Sequence, residues 1–183
     1  MRRAGTGATV GKLFGLERAM KSGQGFASLA SPRGLKVWAL AVVNAFGDVR
    51  NPENGELLAG VRTEDGRQLA NAAASLVELE ILGGFSENNT VLGVVATNAK
   101  LTKAELTRVA QMAQDGIARA VVPSHTLYDG DTIFALSTGS HRGVEVTVVG
   151  ALAAQLMAKA IVNGVLHAVG VDNLPAYQDL FGA

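Results

Sequence analysis

From just after Glu145 as far as Val169 the chain carries a single Lys, Arg, Asp or Glu, Lys159. Gln155, Lys159, Asn163 and His167 recur every four residues, so on a helix they form one narrow polar stripe and everything else is apolar. The segment from about Glu145 to Val169 therefore reads as a helix that must be covered on nearly all sides. Burial between packed layers, or at a subunit interface, satisfies that requirement. A membrane span does not, because Lys159 falls in its middle. A chain built around such a helix needs at least one sheet or helix layer to lay against it.

A second helix is announced by its cap. Thr102-Lys103-Ala104-Glu105 is a capping box, flanked by Leu101 and Leu106 at the spacing of a hydrophobic staple. Leu106, Val109, Ala110, Ala113, Ile117 and Ala120 follow on one face, and Val121-Val122-Pro123 closes the element. Leu35 to Val43 reads as a strand apolar enough to be buried on both faces, with Asn44 just past its end. Thr90 opens a second apolar run rich in β-branched residues, and Thr132 to Ser137 reads as a third strand. Leu57 to Val61 suggests a short strand. Leu69 to Ile81 suggests a helix stopped by Gly83-Gly84, in a segment before Thr90 that reads as mobile. Leu13 to Ser31, broken by Gly and Ser, reads as loop.

The length, 183 residues, suits one domain with a substantial core, residues 1–183. Lys+Arg 16 balance Asp+Glu 16, and no basic block gives an electrostatic case for nucleic acid or an anionic membrane. With 0 Cys there is no disulfide and no thiolate chemistry; with His 3 a metal site is not expected, and no cofactor motif emerges. No apolar h-region follows Met1-Arg2-Arg3, so the expectation is a cytoplasmic protein, and Asn88-Asn89-Thr90 reads as an accidental glycosylation sequon.

Chemistry concentrates at a few points. Gly5-Thr6-Gly7-Ala8-Thr9-Val10-Gly11-Lys12 lacks P-loop spacing, since Thr6 stands five before Gly11 and Leu13 follows Lys12; it reads as a Gly-rich loop bringing Lys12 close to something else. Asn89–Thr90 is an ordinary strand start unless the bond is cut. Cutting it would set the Thr90 hydroxyl beside its own α-amine, a nucleophile with a built-in base. Asp129-Gly130-Asp131 is a solvated turn or half of a cation site, and His125 reads as a structural hydrogen-bonding residue.

These blocks, with Val42-Val43-Asn44-Ala45-Phe46-Gly47-Asp48-Val49 and Asp115-Gly116-Ile117-Ala118-Arg119-Ala120, occur in one order along the chain. In that order the chain resembles the self-cleaving peptidases that include L-aminopeptidase/D-esterases, β-peptidyl aminopeptidases and nylon-oligomer (6-aminohexanoate-oligomer) hydrolases. The resemblance implies an α/β fold, a four-layer αββα sandwich like that of the N-terminal-nucleophile hydrolases. It implies cleavage of Asn89–Thr90 into two associated pieces, 1–89 and 90–183. By position Thr90 matches the nucleophile and Asn44 an oxyanion donor. Lys12 matches a neighbour of the nucleophile, and Asp129 and Asp131 the pair that orients its amine.

Thr with Asp-Gly-Asp leans toward the nylon-oligomer branch. The implied substrate is a small peptide or linear amide, and the implied assembly a homo-oligomer, a tetramer by resemblance. Family members carry a long segment ahead of the Gly-rich loop, which this chain lacks. The sequence is then either a fragment or a shortened form, and the alternative function is a truncated, non-catalytic homologue serving as an assembly or partner-binding subunit. Ornithine acetyltransfer also uses a self-cleaving Thr, but the Asp-Gly-Asp context argues against it.

Overall fold

A computed structural model describes residues 4–79 and 89–182. The Gly83-Gly84 stop, the segment expected to be mobile and Asn88 of the sequon lie outside the described residues. Strands β1 (Thr9–Val10) and β2 (Met20–Lys21) pair with each other and lead into β3 (Gln24–Ala30) and β4 (Lys36–Asn44). Next come β5 (Asp48–Arg50), β6 (Leu57–Ala59), the short helix α1 (Ala72–Ser75) and β7 (Thr90–Ala99). Helix α2 (Lys103–Ala120), β8 (Val121–Val122), β9 (Thr132–His141), α3 (Val146–Leu166) and α4 (Tyr177–Phe181) complete the order. The main sheet runs β3-β4-β7-β9, and a smaller one runs β6-β5-β8.

Helices α2 and α3 lie against each other and on one face of the main sheet. Val109, Ala113 and Ile117 of α2 share a core with Val149, Ala153 and Ile161 of α3 and with Val37, Val43, Val91 and Val95 of the strands. The Thr102 cap forms as expected, its hydroxyl accepting from Glu105 N–H while the Glu105 carboxylate accepts from Thr102 N–H. Backbones approach closely in this layer. A Cβ on Gly25 would sit 1.9 Å from the carbonyl oxygen of Ala160, and one on Gly116 2.4 Å from that of Ala154. Such contacts explain why a core rich in Ala and Gly needs so few aromatic residues.

Small residues also hid β3 from the sequence reading. Gln24-Gly25-Phe26-Ala27-Ser28 pairs with β4 as a regular antiparallel edge strand, so the loop expected over Leu13 to Ser31 holds two strands. Gly25, which reads as a turn signal, is there because α3 leaves no room for a side chain. The expected Leu69–Ile81 helix shrinks to α1 and a 3-10 turn over Leu76–Glu78 within its described part. Strand β9 runs past Ser137 to His141.

The strand expected to be buried on both faces is buried on one. In β4, Val37, Ala39, Ala41 and Val43 are covered by the helices, whereas Trp38, Leu40 and Val42 are partly exposed. The register aligns the second face across the sheet: Phe26, Leu40, Val94 and Phe134 form one row, and Ser28, Trp38, Ala96 and Leu136 the next. Phe134 is 59% exposed and Phe26 52%, against 0% for Val37 and Val91 on the covered face. The described residues thus build one helix layer and one sheet of the αββα sandwich, with an apolar face where a second sheet would pack.

An open apolar face of this extent favours association. Sedimentation of the isolated chain should show oligomers, and Phe26→Lys combined with Phe134→Lys should shift them toward monomer. Unchanged sedimentation in the double variant would place the contact elsewhere.

Candidate active site

Three backbone features bring the site together. First, β4 and β7 are antiparallel with Asn44 opposite Thr90, which sets both side chains on the same face of the sheet at its end. Second, the Gly-rich loop packs across this end: Gly11 N–H donates to Gly47 O at 3.0 Å and Lys12 N–H to Phe46 O at 2.9 Å. Gly11 adopts φ +72°, and a Cβ there would lie 2.0 Å from the Gly60–Val61 backbone, so glycine is required on both counts. Third, β9 runs parallel to β7, and a bridge between Asn89 and Asp129 brings the Asp129-Gly130-Asp131 corner beside the Asn89–Thr90 bond.

Lys12 is 6% exposed and Asn89 1%. The Lys12 ammonium donates to Asn44 Oδ1 at 2.8 Å, Asn89 Oδ1 at 2.9 Å and Asn44 O at 3.3 Å. Asn44 Oδ1 also accepts Thr9 N–H at 3.2 Å. Two donors on that oxygen fix the orientation of the amide, so its Nδ2 donor end points away from Lys12. Burial lowers the Lys12 pKa to about 8, the negative charge of Asp129 opposing the shift.

The loop that carries Lys12 is itself tied down by Lys21, which sequence reading passed over. The buried Lys21 ammonium donates to Ala8 O at 2.9 Å, to Gly5 O at 3.3 Å and to Ser22 O, while Ser22 Oγ donates to Val43 O. Burial lowers the Lys21 pKa as well.

The acidic pair is not a solvated turn. Asp129 accepts Thr126 Oγ1–H at 2.7 Å, Thr126 N–H at 3.0 Å and Phe46 N–H at 3.3 Å. Asp131 accepts Val91 N–H at 2.8 Å, and its other oxygen lies 3.1 Å from His125 Nδ1, with the carboxylate side chain only 5% exposed. Burial raises the Asp131 pKa, opposed by the Val91 N–H; Asp129 adds to the rise, and His125 counters it. His125, read from sequence as a structural hydrogen-bonding residue, stands within hydrogen-bond distance of this carboxylate. Its left-handed backbone, φ +54°, could not be foreseen from the residue type.

Thr90 Oγ1–H donates to the carbonyl oxygen of Asn89 at 2.6 Å, and Gly130 N–H donates to the same oxygen at 2.7 Å. Lys12, Asn44, Asn89, Thr90, Asp129 and Asp131, scattered over much of the sequence, thus meet around one peptide bond.

The sequence profile of peptidase family S58 matches residues 3–176. The chain belongs to peptidase family S58. As an S58 member it is 41% identical over 182 residues to an uncharacterized aminopeptidase of Mycobacterium tuberculosis, covering 89% of this chain and 53% of the relative. It is 28% identical to the 6-aminohexanoate-oligomer endohydrolase of a Kocuria species, covering 87% of this chain and 48% of that one. Among solved structures, the L-aminopeptidase D-Ala-esterase/amidase of Ochrobactrum anthropi superposes with TM-score 0.58 at 21% identity, over 90% of this chain and 43% of the other. A Burkholderia β-aminopeptidase gives 0.53 at 27% identity, over 94% and 47%. The first of these structures is described as a variant of the Ntn-hydrolase fold. This S58 chain spans about half the length of the curated relatives it matches.

The Lys12 charge makes a prediction about stability. Its pKa is about 8 folded against 10.5 ordinarily, so between those values the unfolded chain holds a proton that the folded chain has released. Stability then rises with pH from about 8 to about 10.5, and below that window the full cost of the buried charge applies. Lys12→Met should therefore gain most over the wild type near pH 7, and lose that advantage at high pH. Denaturant titrations at both ends of the window measure it; a pH-independent difference would contradict the burial argument.

Proposed function

We propose that this chain is the catalytic portion of a self-processing amide hydrolase in which Thr90 becomes an N-terminal nucleophile. The observation that carries the reading is the Thr90 hydroxyl hydrogen-bonded at 2.6 Å to the carbonyl oxygen of the residue before it. Around that bond stand a buried cation, an oriented amide and two clamped carboxylates. In maturation Thr90 Oγ attacks the Asn89 carbonyl carbon, the C–N bond breaks, and the hydroxyl proton ends on the Thr90 nitrogen. Water then hydrolyses the ester, releasing the Asn89 carboxylate and restoring the Thr90 hydroxyl beside its free α-amine.

In turnover the freed amine accepts the hydroxyl proton while Thr90 forms an acyl-enzyme with the substrate, and water resolves it. Asn44 Nδ2 serves as oxyanion donor and Lys12 holds Asn44 in place. Asp131 and Asp129 fix the backbone around Thr90, and their negative charge favours the protonated form of the new amine. The substrate class is a peptide or linear amide. The relatives named as 6-aminohexanoate-oligomer endohydrolases, together with Thr and Asp-Gly-Asp, favour the linear ω-amino-acid amides. The working form is a homo-oligomer.

A second reading is a non-catalytic assembly subunit. It is favoured by one observation: Thr90 and Asn44 project from the same sheet face as the exposed Leu92, so one wall of the site is left to whatever covers that face. The two readings part on simple measurements.

Intact mass of the purified wild type should show fragments 1–89 and 90–183, and Thr90→Ala a single uncut chain. Cleavage persisting in Thr90→Ala would remove the nucleophile assignment. A wild type that never cleaves, even when joined to the remaining half of a full-length relative, would favour the assembly reading.

Asp129→Asn and Asp131→Asn should each slow processing or turnover by about 100-fold or more, the scale of a lost proton-transfer or positioning group, with the fold retained. Circular dichroism and a stopped-time cleavage assay separate the two effects. Wild-type rates in both variants would reduce the pair to scaffolding.

A further inference from the structure

The corner that carries the two carboxylates also presents a backbone donor. We infer that the N–H of Gly130 is the oxyanion donor of the self-cleavage step, holding the Asn89 carbonyl oxygen as it takes up charge. This rests on the self-processing reading above and adds a catalytic group to it.

Gly130 N–H already touches the oxygen that would become the oxyanion, at 2.7 Å. The nucleophile's own oxygen is 2.6 Å from that same atom. A donor in contact with the ground-state carbonyl strengthens as negative charge builds there, because a hydrogen bond to an anion is shorter and about twice as strong. The donor is also held still. Asp129, on one side of Gly130, is clamped by Thr126 and Phe46 N–H; Asp131, on the other, is clamped by Val91 N–H and His125. Segment 129–131 is therefore held to Val91 at one end and to Thr126 and Phe46 at the other, and Gly130 N–H needs no reorganisation when the bond is attacked.

The choice of glycine at this position supports the assignment. Its backbone lies outside the left-handed region, so conformation alone does not demand glycine. Space does: a Cβ at 130 would come within 2.9 Å of Thr90 Oγ1 and 3.7 Å of Asn89 O. Any side chain here would press on the nucleophile rather than on a structural neighbour. A plain strand-pairing bond would tolerate one.

The division of labour with Asn44 follows from position. Asn44 Oδ1 is committed to Lys12 and Thr9 N–H, and its amide lies across the sheet from Gly130, on the β4 side of Thr90, while Gly130 lies on the β9 side. The scissile carbonyl oxygen is thus held from the β9 side, while Asn44 stands on the β4 side of Thr90. During cleavage the step is a rearrangement: the Oγ–C bond forms, the C–N bond breaks, and one proton passes from oxygen to nitrogen, with no co-reactant before the hydrolysing water.

The test replaces one atom group. Full-length chain made by chemical ligation with glycolic acid in place of Gly130 exchanges the N–H for an ester oxygen and leaves every side chain unchanged. Fragment formation at Asn89–Thr90, followed by intact mass, should slow by roughly 100- to 1,000-fold, the usual loss for one oxyanion donor. Scission at the ester itself would give different masses.

The same amide-to-ester exchange at Leu136, further along β9, is the control. It should lower stability comparably and leave the cleavage rate near wild type. Gly130→Ala, which keeps the N–H and adds the Cβ, should also slow cleavage. Wild-type cleavage in the glycolate form, or an equal slowing in the Leu136 control, would overturn the assignment and leave only a strand-pairing bond. A wild-type chain that stays uncut, even when joined to the remaining half of a full-length relative, would instead bring down the self-processing reading, and this inference with it.

Discussion

The antiparallel pairing of β4 with β7 is the interaction on which both the core and the site depend. With Asn44 opposite Thr90, the odd-numbered residues of β4 and β7 face the helices and the even-numbered ones face outward. A slip of one residue would turn Val37, Val43, Val91 and Val95 out of the core and carry Thr90 away from Asn44 in the same movement. Core burial therefore enforces site geometry. The helices that cover one face, by accepting mostly small and β-branched residues beneath them, specify which face Thr90 must occupy.

At the end of that sheet, several groups are held in states they would avoid in water. The Lys12 ammonium is buried against two neutral amides, and the Asp131 carboxylate is nearly enclosed. Each is satisfied by hydrogen bonds that also fix a neighbour: Lys12 orients Asn44, Asp131 holds Val91 N–H, and Lys21 pins the loop that delivers Lys12. Buried polar networks of this kind cost stability unless every member is paired. Here the pairing leaves few alternatives for where the Asn89–Thr90 bond can lie, and that is what a reaction between adjacent groups needs.

The second face of the sheet has the opposite character. Phe26, Phe134 and Leu136 stand in water on a surface that would suit a packed sheet, and the row Asn44–Thr90 lies at its margin. Covering that face would bury apolar area and at the same time enclose Asn44 and Thr90.

Much of this was legible in the residues, and the reason is local. The Thr102–Glu105 cap, the amphipathic stripe of α2 and the apolar run of α3 are set by neighbours three and four positions apart, so the sequence displays them directly. The Asn89–Thr90 junction, the Gly-rich loop and the Asp129-Gly130-Asp131 corner were likewise visible as short blocks, though only their shared order tied them together. Tertiary structure decided what depends on distant partners: that Gly25 belongs to a strand because α3 presses on it, that β4 is covered on one face only, and that His125 meets Asp131. The donation of Gly130 N–H to the Asn89 carbonyl belongs to that second group, since a backbone group carries no letter in a sequence and acquires a partner only when two strands come side by side.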